Sequence, residues 1–403
     1  MRYTSLLPAL AATASATNLF VSSYAGNVTT LSLTESNGNY NLTPTFASPD
    51  CGPNPSWLTI DANRGLLFCL NEGLTAPNGS LSSFTINQDG SLNHVKNATT
   101  LNGPVSGVIY GNPAGRRAIA LAHYVGSGLS TWYLDGSGQF SSNQQFDFTL
   151  SQPGPVPDRQ DAPHEHEAIT DPTGRYLLVP DLGADLVRVF GIDANSLKLT
   201  ELDPLHAPSA SGPRHAAFWN PYNTVCEGCT TYMYLATELA GTIIGYSVGY
   251  LPNHGGLNFT QVFESSTLGL FRNDRVNAPA GIQISPDNRF VLVSNRNSTV
   301  FELPNPDKSN STTIPSDSIS TFELQRNGSL VFTQIWPSGG LYPREFSINA
   351  AGNLLAVGNQ NSGNVAILQR DVGSGLIGEP IARIPIEGNV TCVVFDEESQ
   401  RNA

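Results

Sequence analysis

Charge is scarce in this chain of 403 residues: only 13% are Asp, Glu, Lys or Arg, and their balance is -13. With so few cations and no basic run, the counterion-releasing surface that a nucleic acid partner needs is missing. Long apolar runs are missing as well. Beyond the first residues no stretch reaches about 18 apolar residues, so no membrane span is expected. No 3.6-residue hydrophobic period is sustained, which argues against helical solenoids. No G-x-S-x-G elbow, P-loop or dinucleotide fingerprint occurs in a suitable context. Cysteine is sparse: Cys51, Cys69, Cys226, Cys229 and Cys392. A four-thiolate zinc site needs a second C-x-x-C, and there is none.

Glycine and proline are plentiful (38 and 28) and evenly spread, which means many turns. The opening MRYTSLLPALAATASA carries one Arg, an apolar stretch and Ala14-Ser15-Ala16. It reads as a secretory signal peptide over residues 1–16, cut after Ala16; the competing reading is a buried first strand. Nine N-x-S/T sequons, at Asn27, Asn41, Asn78, Asn97, Asn258, Asn297, Asn310, Asn327 and Asn389, fit a secreted glycoprotein. In an oxidising compartment Cys226-Glu-Gly-Cys229 is expected to close a small loop as a disulfide. Among Cys51, Cys69 and Cys392 at least one is left over, and spacing does not say which.

The stretch HEHEAITDPTGRYLLVPDLGADLVRV (164–189) holds three short apolar runs joined by tight polar turns. In the Asp181–Asp185 turn, Gly183 is expected at positive φ, with the aspartates capping backbone amides. The outline recurs: WLTIDANRGLLFCLNE (57–72), SGVIYGNPAGRRAIALAHY (106–124), HEAITDPTGRYLLVPD (166–181), HAAFWNPYN…TYMYLATE (215–238), AGIQISPDNRFVLVSNR (280–296) and REFSINAAGNLLAVGNQ (344–360). A truncated copy, TCVVFDEE (391–398), follows. Periods of this size, with β-branched and aromatic runs, are those of propeller blades with extended loops. The expected fold is all-β: one seven-bladed β-propeller over 17–403. Strands near 19–33 complete the last blade, which removes exposed sheet edges. A pair of β-sandwiches is the competing architecture, and it leaves the repeat unexplained.

In a propeller, residues at equivalent positions of the innermost strands converge on the central channel. Trp57, Ser106, His166, His215, Ala280 and Arg344 open those strands here, with His164 and Arg214 just before. Glu72, His123, Asp181, Glu238 and Arg296 end the next strands. Arg214, Arg296 and Arg344 are three of only 20 cations. Guanidinium forks match carboxylate or phosphate, so the set points to anion binding; one such Arg alone reads as a partner for a neighbouring carboxylate. Glu238 is a candidate general base or acid, or else the counter-ion of those arginines. His166 offers proton transfer near neutral pH. His164-x-His166 could also hold a metal, but no third acidic ligand repeats near it.

The segments HEHEAITDPTGRYLLVPDLGAD, GPRHAAFWNP, ATELAGTI, PAGIQISPDNRFVLVSNR and YPREFSINAAGNLLAVGNQNSGNV resemble the seven-bladed lactonase family over about residues 18–396. That family includes 6-phosphogluconolactonase and the fungal 3-carboxy-cis,cis-muconate lactonizing enzyme (carboxymuconate cyclase). The resemblance implies a channel site without metal or cofactor, built from His166 (or His164), Arg214, Glu238 and Arg296. His164, His215 and Arg344 are then implied as substrate-binding residues. It also implies an anionic small-molecule substrate whose lactone ring is opened or formed, with Glu238 and His166 moving the proton. The departure is the compartment, since muconate and phosphogluconolactone metabolism is intracellular. The first reading is therefore a secreted lactonase or lactone-forming cyclase. The second is a secreted, non-catalytic propeller glycoprotein, in solution or at the cell wall, that binds a ligand or surface partner. A separation of Glu238 from Arg214 and Arg296 beyond about 10 Å, outside hydrogen-bond reach, favours the second.

Overall fold

The computed structural model describes residues 16–112, 114–226, 228–271, 277–305 and 309–397. The expected signal peptide lies outside them, apart from Ala16. Among the described residues the chain is all-β, with two 3₁₀ turns and no α-helix. Seven four-stranded sheets form the blades, and a two-stranded hairpin is attached to the fifth.

Each of blades 1 to 6 is an antiparallel meander that runs from the channel outward. Their innermost strands are Pro55–Asp61, Pro104–Gly111, Ile169–Thr170, Pro213–Trp219, Ala278–Ile284 and Pro343–Ile348. The seventh blade is composite, as the truncated last repeat implied. Val390–Asp396 supplies its innermost strand and pairs with Ala16–Ser23, from Asn18 opposite Asp396 to Ser23 opposite Val390. This closure ties both ends of the chain into one sheet and leaves no open edge between first and last blades.

Burial follows position in the blade. The second strands Leu66–Asn71 and Phe290–Arg296 are buried at every residue, whereas in the outermost Phe140–Asp147 every residue after Phe140 is partly or fully exposed. Apolar packing lies between blades. Tyr176 and Leu178 of blade 3 meet Met233 and Leu235 of blade 4, and Leu19 and Leu31 of blade 7 meet Ala356 and Ile367 of blade 6. Seven such clusters, one per neighbouring pair, complete the ring. The ring thus replaces a single central core and leaves the axis to polar side chains.

The recurring turn has a local cause. Asp171 accepts hydrogen bonds from the amides of Thr173, Arg175 and Tyr176, and Gly174 takes φ +68. Asn349 does the same for Asn353 and Leu354. The Asp181–Asp185 turn differs from expectation. Its positive φ (+53) falls on Asp185 and not on Gly183. Gly183 is required there because a Cβ would collide with the carbonyl oxygen of Ala162.

Cys226 and Cys229 form the expected disulfide, at the turn end of the Pro213–Trp219 and Thr231–Thr237 pair that is remote from Arg214. Cys51 pairs with Cys69, which leaves Cys392 as the buried free thiol. Burial pushes that thiol up to about 12, so it stays protonated and unreactive.

Candidate active site

One irregularity, repeated around the ring, builds the site. The innermost strand carries an extra residue where it leaves the channel mouth. Pro55 pairs with Asn71 but Trp57 with Leu70; Pro213 pairs with Thr237 but His215 with Ala236; Pro343 pairs with Asn359 but Glu345 with Gly358. The bulged residues are therefore Ser56, Arg214 and Arg344. In blade 3 the bridge of Glu165 to Asp181, followed by the pairing of Ile169 with Leu178, leaves room for the same bulge at His166. A bulge re-aims one side chain without breaking the sheet. Here it turns Arg214, Arg344 and His166 toward the axis. The positions that follow hold Trp57, Glu167, His215 and Glu345. Trp57 and Ser106, taken above with His166 and Arg344, are thus one place out of register. A proline just before the bulge (Pro55, Pro104, Pro213, Pro343) is the signal that could have set the register from sequence.

The facing set from the second strands consists of Tyr24, Glu72, Tyr124, Glu238 and Arg296, each one residue beyond the ladder partner of the pre-bulge residue. Two expected members do not belong. His123 is fully buried with its ring nitrogens on Leu101 O and Ser130 Oγ, and burial holds it at about 3. Asp181 accepts from Arg188 Nη2 at 2.6 Å and from the amides of His164 and Ala184. Tyr124 stands in place of His123.

Glu238 is the hub. Its Oε2 lies 3.0 Å from Arg214 Nε and 2.5 Å from Arg296 Nη2, and its Oε1 lies 2.6 Å from Arg159 Nη2. Burial alone would raise this carboxyl, but Arg296, Arg214 and Arg159 outweigh it and hold it at about 2. Arg296 is steadied by Ala278 O (3.1 Å) and lies 4.9 Å over the Tyr342 ring. Tyr342 itself is held at φ +64, with its amide on Asp317 Oδ2. Arg214 is 1% exposed. Burial, then the repulsion of Arg296, lowers it to about 9, so it remains a cation at neutral pH with its charge only partly offset by Glu238. Arg344 donates to Tyr24 Oη and Glu72 Oε1, both at 2.9 Å.

Beside the arginines lie the imidazoles. His166 and His215 pack edge to face at 5.3 Å, and His215 meets the Trp57 ring at 5.6 Å. His215 Nδ1 is 3.5 Å from Glu345 Oε2 and 3.9 Å from Glu167 Oε1. Burial and the surrounding arginines, Arg214 first, hold both histidines well below their ordinary value, so both are neutral near pH 7. Burial lifts Glu167 well above the carboxylate range and Glu345 to about 7. Among the described protein atoms, His166 Nδ1, His215 Nε2 and Arg214 Nη1 are buried without a hydrogen-bond partner. A buried polar atom of this kind is costly unless something polar meets it.

The structure thus brings His166, Arg214, His215, Glu238 and Arg296 together, with Arg344 beside them. His164 is set apart: its ring nitrogens contact Tyr124 O (2.7 Å) and Asp161 Oδ1 (3.0 Å), and its ring stacks on Tyr124 at 4.3 Å. Both of its ring nitrogens are thus engaged by neighbours of its own, away from the imidazole pair of His166 and His215. Among the described residues no group of three or more His, Cys, Asp or Glu is arranged to hold a metal ion. Arg159, Glu345 and Glu167 belong to the cluster although the sequence repeat does not single them out. Arg159 comes from a connection outside the repeat, where no periodic signal exists. Glu345 and Glu167 each follow a picked residue and were findable from the bulge.

Chemically, the site offers fixed cations for a developing oxyanion, neutral imidazoles for a proton, and an excess of positive charge for an anionic ligand. A family model described as "Lactonase, 7-bladed beta-propeller" matches residues 18–395. A protein of Arthroderma benhamiae named "Probable 6-phosphogluconolactonase" is 29% identical over 91% of this chain and 86% of its own length. The 6-phosphogluconolactonase of Formosa agariphila is 28% identical over 85% of this chain and 88% of its own. The solved structure of the periplasmic gluconolactonase of Pseudomonas aeruginosa superposes with TM-score 0.75 at 23% identity, over 94% of this chain and 99% of that one, a likeness of fold.

Proposed function

This chain belongs to the seven-bladed β-propeller lactonase family, and we propose that it hydrolyses the lactone ring of an anionic sugar-acid substrate, as the name 6-phosphogluconolactonase describes for its relatives. The observation that carries the reading is Arg214: a buried guanidinium, incompletely compensated, with an unpartnered nitrogen next to a neutral His166. Glu238 lies within hydrogen-bond distance of Arg214 and Arg296, and the wide separation that favours a non-catalytic propeller is not found.

In this scheme Arg214 and Arg296 bind the lactone carbonyl and stabilise the negative charge that develops on its oxygen. His166, neutral, takes a proton from the attacking water. The tetrahedral intermediate collapses, the ring C–O bond breaks, and the alkoxide leaving group takes that proton back, which yields the hydroxy acid. The transient imidazolium faces His215, and behind it Glu345 and Glu167, whose carboxyl protons are loosened by a nearby positive charge. Glu238, at about 2, stays ionised throughout and serves as the fixed counter-ion that orients the arginines. Its expected part in proton transfer passes to His166. The chain's own side chains supply every group in this route, with no metal or cofactor. Lactone formation from a carboxylated muconate is the opposite direction but not this step reversed. A carboxylate oxygen adds across a C=C bond, the arginines stabilise the resulting enolate, and the adjacent carbon takes up a proton from an acid of the site, with no water consumed. Following ring opening and ring closure with both substrate classes decides the direction. Turnover of neither lactone nor muconate by folded protein contradicts the reading.

Secretion and glycosylation are part of the proposal. Eight sequons, Asn41, Asn78, Asn97, Asn258, Asn297, Asn310, Asn327 and Asn389, are exposed and Asn27 is partly so. Two disulfides accord with an oxidising compartment. Amino-terminal sequencing of protein from culture medium tests cleavage after Ala16, and a mobility shift with an endoglycosidase tests the glycans.

A further inference from the structure

We propose that Arg159 forms a second anion subsite at the channel mouth, which selects substrates carrying a phosphate or carboxylate remote from the reacting lactone. The inference rests on the lactonase reading and adds how that site chooses its substrate.

Three guanidiniums share the single carboxylate of Glu238, but they are not equivalent. Arg214 and Arg296 approach Oε2, and their side chains are 2% and 7% exposed; Arg159 approaches Oε1, and its side chain is 40% exposed. The inner pair faces the imidazoles, where the carbonyl reacts. Arg159 is displaced from them by the width of a carboxylate, toward solvent. Glu238 is already balanced by the inner pair, so the charge of Arg159 is surplus at that point. Its bonds to Glu238 (2.6 Å) and to Tyr124 Oη (3.2 Å) both leave from Nη2. Nη1 and Nε remain for a second acceptor in the fork geometry that suits phosphate or carboxylate.

The segment that carries Arg159 is strand-free, between Asp147 and Ile169, yet it is pinned. The next residue, Gln160, is fully buried. Its carbonyl accepts from Gly154 N (2.8 Å), its Oε1 from Val156 N (3.1 Å), and its Nε2 donates to Leu182 O (3.0 Å). The connection therefore presents the guanidinium at a fixed height over Glu238, and a preorganised donor loses little entropy on binding. Tyr124 joins this outer residue to the inner site, since its ring also lies edge-on to His166 at 5.5 Å.

The test compares wild type, Arg159→Gln and Arg159→Lys on 6-phosphogluconolactone and on uncharged gluconolactone. Calorimetry runs in parallel with 6-phosphogluconate and gluconate. In Arg159→Gln, KM for the phosphorylated lactone is expected to rise roughly 10- to 100-fold, the worth of one charge-assisted hydrogen bond. The change in kcat/KM for the uncharged lactone is expected to be at least roughly tenfold smaller than that for the phosphorylated lactone, and Arg159→Lys recovers part of this selectivity. Equal changes for both lactones, or none, overturn the proposal. If wild type opens neither lactone, the lactonase reading fails, and calorimetry judges Arg159 alone. Weaker binding of 6-phosphogluconate with gluconate unaffected upholds the subsite, and a wild type without preference between the two overturns it.

Discussion

Arg214 and Glu238 meet because of one extra residue. Pro213 lies opposite Thr237 and His215 opposite Ala236, so Arg214 has no ladder partner and swings to the axis, where its Nε stops 3.0 Å from the carboxylate that follows Thr237. The pair is a product of strand register, and the site's charge balance depends on it.

Removing the guanidinium should damage chemistry more than folding. Arg214→Ala is expected to lower kcat by roughly 10²- to 10³-fold, the usual cost of one oxyanion-stabilising donor. Arg214→Lys should recover little, because an ammonium cannot reproduce the fork. Steady-state kinetics on protein with wild-type circular dichroism checks both; full activity in the lysine variant would place the guanidinium outside the reaction.

Glu238→Gln leaves Arg159, Arg214 and Arg296 without their counter-ion. Thermal stability at pH 7 should fall, and millimolar phosphate should raise the melting temperature of the variant more than that of wild type, because a bound anion replaces the missing charge. Activity should drop while the shape of the pH–rate profile between pH 5 and 8 is kept, since a carboxyl at about 2 does not titrate there. A limb that disappears in the variant would make Glu238 a proton carrier after all.

Glu345 supplies a pH signature of stability. Burial lifts its carboxyl from 4.5 to about 7, against the pull of Arg214 and of the Phe346 amide. The folded chain therefore holds this proton more tightly than the unfolded chain, and the contribution is full below about pH 4.5 and lost as pH rises through 7. The melting temperature of wild type should decline between pH 5 and 8 more steeply than that of Glu345→Gln. Glu167, shifted in the same direction, keeps some slope in the variant. Parallel slopes would contradict this account.

The Cys51–Cys69 bridge spans a separation of 18 residues, and both cysteines are fully buried beside Cys392. Replacing both by Ser should cost about 2–4 kcal/mol in denaturant unfolding. A change well under 1 kcal/mol would mean that packing, and not the cross-link, holds blades 7 and 1 together.

Much of this was legible in the sequence. The repeat, read from copies such as HEAITDPTGRYLLVPD and AGIQISPDNRFVLVSNR, yields seven blades and the closure by N-terminal strands, because each blade reuses the same turn chemistry. Arg214, Glu238, Arg296 and His166 were readable because equivalent positions converge in any propeller. What escaped has two physical origins. Bulges shift register by one, so the repeat points to His123 and Asp181 where Tyr124 and Leu182 stand. Segments outside the repeat carry no period, so neither Arg159 nor the hairpin of Phe301–Pro304 with Thr313–Ser316 was foreseen. His164 was drawn in by its nearness to His166, although alternate residues need not share surroundings.

The most direct test of the central claim is the hydrolysis rate of 6-phosphogluconolactone with wild type and with His166→Ala at pH 7, each corrected for spontaneous opening. General-base catalysis by a neutral imidazole predicts clear turnover in wild type and a fall of roughly 10²- to 10⁴-fold in the folded variant. A variant as fast as wild type, or a wild type no faster than buffer, would show that the buried cluster of His166, Arg214 and Arg296 is not where a lactone opens.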